Sequence, residues 1–372
     1  MLYLIIILTF LVFAVSHNPG SPKEKWSIKF TFAFILISSV AAFAFNLGAD
    51  TEEYFSVFKG VLPVKDITKS YLESFRYQSG FTLFFSVCKQ FSDRYLFYQI
   101  IHSLIVNFVI LRFVYKNTSN PYLTLLFYLI LNFLEFNFEI QRESLAIVMG
   151  LLGMELWQNK KYLYSCLSFL IGFYFHFSIV GLLLFPILLK IKDSPKSIIM
   201  FSTAAAISPW IWQVIPNADL FLLLTSDADF YEGYIKQTLF NNYNLIYYLK
   251  FYFTNIAIPL FALYLLRNKQ HPYKKMIYGF MIFRCLSLFS YGFYRFSNYY
   301  ATFYWIVVAE ALLVFVRYSF LYRIKFIFYS FSVLLIFWLN STSLFWYDED
   351  TGKKIYERYF PYKSIFETDK IY

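Results

Sequence analysis

Arg142, in EIQRESLA, opens one apolar stretch, and His176, in FYFHFS, stands near the end of the next; the basic turn Lys160-Lys161 lies between them. Two apolar helices joined by so short a turn run antiparallel, so the start of the first and the end of the second share a level. Asp50, in GADTEEY, and Arg295, in YGFYRFSNYY, sit beside other apolar stretches. The residue types are cations that bind oxyanions and groups that exchange protons. At membrane depth, such residues ordinarily line a cavity or a substrate path. Each also has a structural use: an arginine that snorkels to headgroups, an internally bonded histidine, and an aspartate that caps a helix.

The elements that position them follow from composition. With 59% hydrophobic, 24% aromatic and 15% charged residues over 372 positions, the chain has more apolar surface than one soluble core can bury. This predicts an all-α polytopic integral membrane protein of about 10–13 transmembrane or re-entrant helices around an outward-facing cavity. The net charge of +10 resides in short turns, which excludes nucleic-acid binding and follows the positive-inside rule. Cys88, Cys166 and Cys285 lie in or beside apolar segments without CxxC spacing and read as buried, inert thiols.

Leu2–Val15 reads as a retained first helix, because no Lys or Arg precedes it as in a signal peptide. Further spans are expected at Ile28–Leu47, Tyr95–Tyr115, Tyr122–Phe138, Arg142–Trp157, Tyr162–Phe177, Ser178–Leu189, Ser197–Ile215, Asn244–Leu266, Lys274–Tyr291, Phe296–Val316 and Arg323–Asn340. Gly80–Phe91 is too short to cross and is expected at the interface or re-entrant. Basic residues fall in every second connection, among them Lys23 to Lys29, Arg112 and Lys116, Lys160-Lys161, Lys190 to Lys196, Arg267 to Lys275, and Arg317 to Lys325. These mark the cytoplasmic side. The alternate connections, including outer loops 48–78 and 216–243 and the tail 341–372, then face outward, within one multi-spanning domain over 1–372. Asp50, Arg142, His176 and Arg295 all come out at the outer side.

The order of these residues resembles the EpsG family of polysaccharide polymerases, related in function to Wzy-type polymerases. The matching residues are Arg142 opening R-x-x-L-A, the basic turn, F-H-x-S at His176, and the apolar segment reaching Pro186. They extend to G-x-D-x-x-x-Y at Gly48, Asp50 and Tyr54, R-x-x-x-Y at Arg295 and Tyr299, and Y-x-P-Y at Tyr359 to Tyr362. One departure is Gln78-Ser79-Gly80-Phe81, where the family pattern leads one to expect an acidic E-x-G-F.

The resemblance implies a glycosyltransferase of the bacterial cytoplasmic membrane, joining polyprenyl-diphosphate-linked oligosaccharide repeat units at the outer face into exopolysaccharide, capsule or O-antigen-type glycan. A flippase and a chain-length regulator of the same pathway are the implied partners. In that chemistry Arg142 and Arg295 neutralise the diphosphate leaving group, and His176 is the general base, with Asp50 as second choice. Glu143, Tyr54 and Tyr299 join Arg142 and Arg295 as substrate-binding residues. No D-x-D motif or His/Cys cluster calls for a metal, so arginine takes the place of a divalent ion, and no cofactor is implied. Two other classes fit the composition: a flippase of lipid-linked glycans, which would carry charges toward both faces, and a membrane acyltransferase acting on glycans, with a lone histidine as base. Single-cysteine labelling tests the orientation. A membrane-impermeant reagent is expected to modify cysteines placed near 50 and 295 from outside, and those at 160 and 269 only after the membrane is permeabilised.

Overall fold

The computed structural model describes residues 1–17, 27–75, 77–192, 194, 196, 197, 199–201, 203, 204, 245–288, 292–317, 324–340 and 354–367. Two compact units emerge: Met1–Ile179 with Phe326–Phe337 and Ser341–Tyr372, and Val180–Lys325 with Trp338–Asn340. Among the described residues the regular elements are helical, apart from one isolated bridge between Ala44 and Ser364. Among the described residues three helices are long and apolar enough to cross a membrane, Tyr95–Asn117, Tyr248–Leu265 and Gly292–Arg317, and shorter apolar helices accompany them. The protein is an all-α membrane protein. The expected span Ser197–Ile215 lies largely outside the described residues, and the loop 216–243 lies wholly outside them.

In the first unit, α1 (Leu2–Ser16) and α2 (Ile28–Ala42) precede three shorter helices, α3 (Thr51–Gly60), α4 (Lys69–Ser74) and α5 (Ser79–Phe91). The centre of this unit is α6 (Tyr95–Asn117). Along α6, Tyr95, Tyr98, Gln99, His102, Ser103 and Asn107 recur at helical spacing and are buried, while Leu104, Ile105 and Phe108 are exposed. Hydrogen-bonding groups thus face inward and apolar ones outward, the arrangement a lipid environment favours. Gln99 Nε2 donates to the carbonyls of Ala41 (3.0 Å) and Ala44 (2.8 Å), satisfying acceptors that the end of α2 leaves open.

Next comes α7 (Pro121–Leu131), where Asn120 accepts from Leu123 N and donates to Ala14 O, capping α7 and tying it to α1 in one residue. The expected continuation of α7 to Phe138 does not form. A π-turn at Glu135–Glu139 replaces it, stabilised by a buried triangle in which Asn107 Nδ2 donates to Asn137 Oδ1 and Tyr128 Oη bridges both asparagines. Side chains that bond one another this way compete with a continuous helix.

Two helices then pack closely, α8 (Gln141–Gln158) and α9 (Tyr162–Phe175). Ser165 Oγ donates to Gly153 O and Ser168 Oγ to Met149 O, both at 2.7 Å, and Gly172 lies against Ala146. Small residues permit this approach. At the far end Arg112 makes a bidentate pair with Glu155, joined by Lys116, so the ends of α6 and α8 lie together. Cys166 corrects one expectation: it is exposed on α9 beside Tyr162, Leu163 and Leu167.

In place of the expected span Ser178–Leu189 the chain forms a 3₁₀ segment, Phe177–Leu184, and the short α10 (Phe185–Lys190). In the second unit, α11 (Leu245–Tyr252) and α12 (Ile258–Leu265) are joined by a π-turn at Phe253–Ala257. Pro259 lacks the N–H that a continuous helix would direct at Asn255, and the π-turn absorbs the fault. The remaining helices are α13 (Ile277–Ser287), α14 (Gly292–Arg317) and α15 (Lys325–Asn340), the last belonging mostly to the first unit. The first two pack as a hairpin in which Tyr300 stacks against Phe283 and donates to Gly181 O at 2.8 Å. Replacing Gln99 by Leu strands two buried carbonyls, at about 1–3 kcal/mol each. Gln99→Leu is therefore expected to lower the thermal unfolding midpoint in detergent, whereas Leu104→Ala on the exposed face leaves it near wild type.

Candidate functional site

The α8–α9 register determines the level of the candidate residues. Gly153 faces Ser165, Met149 faces Ser168 and Ala146 faces Gly172, so a step forward on one helix matches a step back on the other. Four residues beyond the last pair, Arg142 and His176 stand level, as the antiparallel reading expected. Asp50 belongs to the same end: beside it, Thr51 Oγ1 donates to Phe138 O at 3.0 Å and Ala49 N to Glu139 Oε1 at 3.4 Å. Asp50 occupies the N-cap position of α3 but makes no side-chain cap bond.

Arg142 is held in an unusual way for a membrane arginine. Its guanidinium lies 4.1 Å from the centre of the Tyr77 ring, and Nη1 donates to Gln78 Oε1 at 3.1 Å. Nε is buried and has no hydrogen-bond partner. No carboxylate among the described residues pairs with this cation. The nearest acidic contact is one step removed: Tyr77 donates to Glu53 Oε1 at 2.6 Å. Burial, reinforced by that bond, pushes the Tyr77 phenol well above its ordinary range, so it stays a protonated donor. The platform is thus an aromatic face steered by a carboxylate, and the cation keeps its charge for another partner. Gln78, the departure from the family pattern, is the neutral acceptor in this clamp.

His176 ends α9 with its N–H bonded to Gly172 O at 2.9 Å, and its side chain is 2% exposed. Nδ1 is paired with Ser178 Oγ, and the ring stacks on Phe177 at 5.2 Å. The spacing F-H-x-S therefore has a local cause: the extended residue after α9 lets the serine two places on reach back to the ring. Gly80, two residues past Gln78, meets the Tyr174 backbone so closely that a Cβ would lie 2.6 Å from Tyr174 O. That approach sets the start of α5, with Gln78 at its N-cap, beside the last turn of α9 that leads to His176.

The tail docks on the same end. Gly48, at φ +87°, bonds to Arg358 O and lies against Phe138 with no room for a Cβ. Arg358 Nη1 lies 3.4 Å from Glu139 Oε1, and Phe45 N bonds to Lys363 O at 2.9 Å. Tyr359 is buried, and burial together with the Glu139 carboxylate raises its pKa.

Of the other expected residues, Tyr54 and Glu143 are in the first unit and buried. Arg295 and Tyr299 lie in the first two turns of α14 in the second unit, Arg295 half-buried and Tyr299 buried. A family model described as EpsG family matches residues 27–364.

The chain belongs to the EpsG family. EpsG is a family of Wzy-like polysaccharide polymerases, which makes this chain a glycosyltransferase-like polysaccharide polymerase of a membrane. No curated protein and no solved structure matches it. The matched span takes in Gly48, Arg142, His176, Arg295 and the docked Tyr359 to Tyr362 of the EpsG-family polymerase. Sequence reasoning missed Glu53 and Tyr77, because ordinary aromatic and acidic residues gain their role only by converging on Arg142. Loss of the platform in Tyr77→Leu is expected to lower polymer formation per inserted molecule by about 2- to 30-fold, the range of a cation–π contact. Tyr77→Phe, which keeps the ring, is expected to stay within a few-fold of wild type.

Proposed function

We propose that this EpsG-family chain polymerises oligosaccharide repeat units carried on polyprenyl diphosphate, at the outer face of the bacterial cytoplasmic membrane, into exopolysaccharide, capsule or O-antigen-type glycan. The observation that carries the reading is Arg142: a cation stacked on Tyr77, bonded to a neutral amide and paired with no carboxylate among the described residues. A planar fork in this state is suited to two oxygens of a diphosphate.

In the proposed reaction the acceptor hydroxyl oxygen bonds to the anomeric carbon of the donor sugar as the bond from that carbon to the diphosphate oxygen breaks. The leaving polyprenyl diphosphate takes the electron pair, and Arg142 offsets its growing negative charge. The hydroxyl proton passes to His176. This role requires the ring tautomer with its proton on Nδ1, shared with Ser178 Oγ, because only then does Nε2 carry a lone pair to accept the proton. Asp50, on the same end, is the alternative base or a ligand of the acceptor sugar. Arg295 is the second diphosphate cation in this reading, and Glu143, Tyr54 and Tyr299 are residues of the substrate-binding region. A flippase that delivers the units and a regulator of chain length are the partners such a reaction uses.

Purified protein supplied with lipid-linked repeat units provides the test. Arg142→Lys keeps the charge and loses the fork, and kcat/KM is expected to fall about 10- to 100-fold with the protein still inserted. Near-normal elongation by that variant would sink the diphosphate role. His176→Gln is expected to cost about 100- to 10,000-fold in turnover and to alter the pH profile. An unchanged rate and profile would move the base to Asp50.

A further inference from the structure

Arg284 repeats the arrangement of Arg142 in the second unit, at a position that carries no sequence motif. It lies in the last turn of α13, one turn after Phe280, with its guanidinium carbon 5.2 Å from the Phe280 ring centre and 4.4 Å from that of Tyr294 in the first turn of α14. Its Nε is buried without a hydrogen-bond partner, and no acceptor on the described residues bonds the guanidinium. The only carboxylate among the described residues of this unit is Glu310. It follows Arg295 by fifteen residues on α14, which is about 22 Å along the helix.

An unpaired arginine inside a membrane helix is costly to insert. Two aromatic contacts recover part of that. A snorkelling side chain would carry its whole guanidinium out to water, whereas this one has a buried Nε and is held by ring contacts. Ring contacts engage the faces of a guanidinium and leave its N–H groups, which point outward in the plane, to be satisfied by an oxyanion. Arg295 directly follows Tyr294, so a second cation lies in the sequence beside the residue whose ring Arg284 meets.

We propose that Arg284 is a phosphate-binding residue of the second unit, taking an oxyanion of a phosphorylated lipid. A polyprenyl diphosphate and an anionic phospholipid headgroup present this same chemistry; assignment to the diphosphate rests on the polymerase reading above. The site differs from Arg142 in lying on α13 and in having no hydrogen bond from its guanidinium to the described residues.

The test uses the full chain in nanodiscs of zwitterionic lipid, titrated with polyprenyl diphosphate and, separately, with phosphatidylglycerol. Wild type is compared with Arg284→Met, Arg284→Lys, Arg142→Lys and the exposed control Arg317→Gln. Arg284→Met keeps an apolar stem between the rings and so preserves the fold, and thermal unfolding without ligand monitors that directly. The proposal expects Arg284→Met to weaken binding about 10- to 100-fold, Arg284→Lys less, and Arg317→Gln not at all. A loss confined to polyprenyl diphosphate identifies the substrate as the source of the phosphate. An equal loss of phosphatidylglycerol supports the phosphate site and assigns it to the bulk lipid. Unchanged affinity for both lipids in folded Arg284→Met, with or without a lowered unfolding midpoint, overturns the proposal. If Arg284→Met leaves binding unchanged while Arg142→Lys weakens diphosphate binding, the polymerase reading stands and this inference falls. If wild type binds neither lipid, both fall.

Discussion

The close contact between α8 and α9 is the constraint on which the candidate site depends. Two serines bond across to backbone carbonyls at 2.7 Å, and Gly153 and Gly172 admit the neighbouring helix without a side chain in the way. In lipid there is no hydrophobic gain from bringing two apolar helices together, so packing and these bonds must hold them. The result is a fixed register rather than a loose association. Because Arg142 and His176 lie at corresponding distances beyond the last contact, their common level is a consequence of that register.

A second set of bonds holds the head of α8 against α6. Gln141, the residue before Arg142, accepts from Tyr98 at 2.9 Å and Tyr95 at 3.3 Å, and its backbone carbonyl bonds His102 Nε2 at 3.1 Å. His102 also meets Ser144 Oγ at 3.0 Å. A buried polar network that is satisfied on this scale is rigid, since any displacement leaves a polar group stranded in apolar surroundings. The imidazole of His102 is thus structural, while that of His176 ends a helix at the level of Arg142. The tail adds a further restraint at the same end through Arg358, Glu139 and the positive-φ turn at Gly48.

Aromatic side chains carry two different tasks in this protein. Most fill space, as in the ring cluster of Phe58, Phe81, Phe85 and Tyr98. A few act as platforms for cations: Tyr77 under Arg142, and Phe280 with Tyr294 around Arg284. A platform stabilises a guanidinium without neutralising it, whereas a carboxylate would do both. Arg112 shows the contrast, since its bidentate pair with Glu155 serves to join two helix ends.

Composition and hydropathy by themselves determined the membrane class, the helical architecture and most helix positions, because the cost of exposing backbone to lipid leaves few alternatives. Spacing in the chain was also enough to set Arg142 level with His176, since a short turn between two helices permits only an antiparallel return. Breaks inside apolar runs were not legible: the π-turn after α7 depends on Asn107, a residue of another helix, and the 3₁₀ segment after His176 has the hydropathy of an ordinary span. The partners of the arginines were hidden for the same reason. Tyr77, Gln78 and Glu53 lie about 60 to 90 residues before Arg142, and Tyr294 lies across a turn from Arg284. Whether an arginine in a membrane helix is paired, snorkelling or held by its faces is a matter of which side chains meet it in space, and only the tertiary structure decides that.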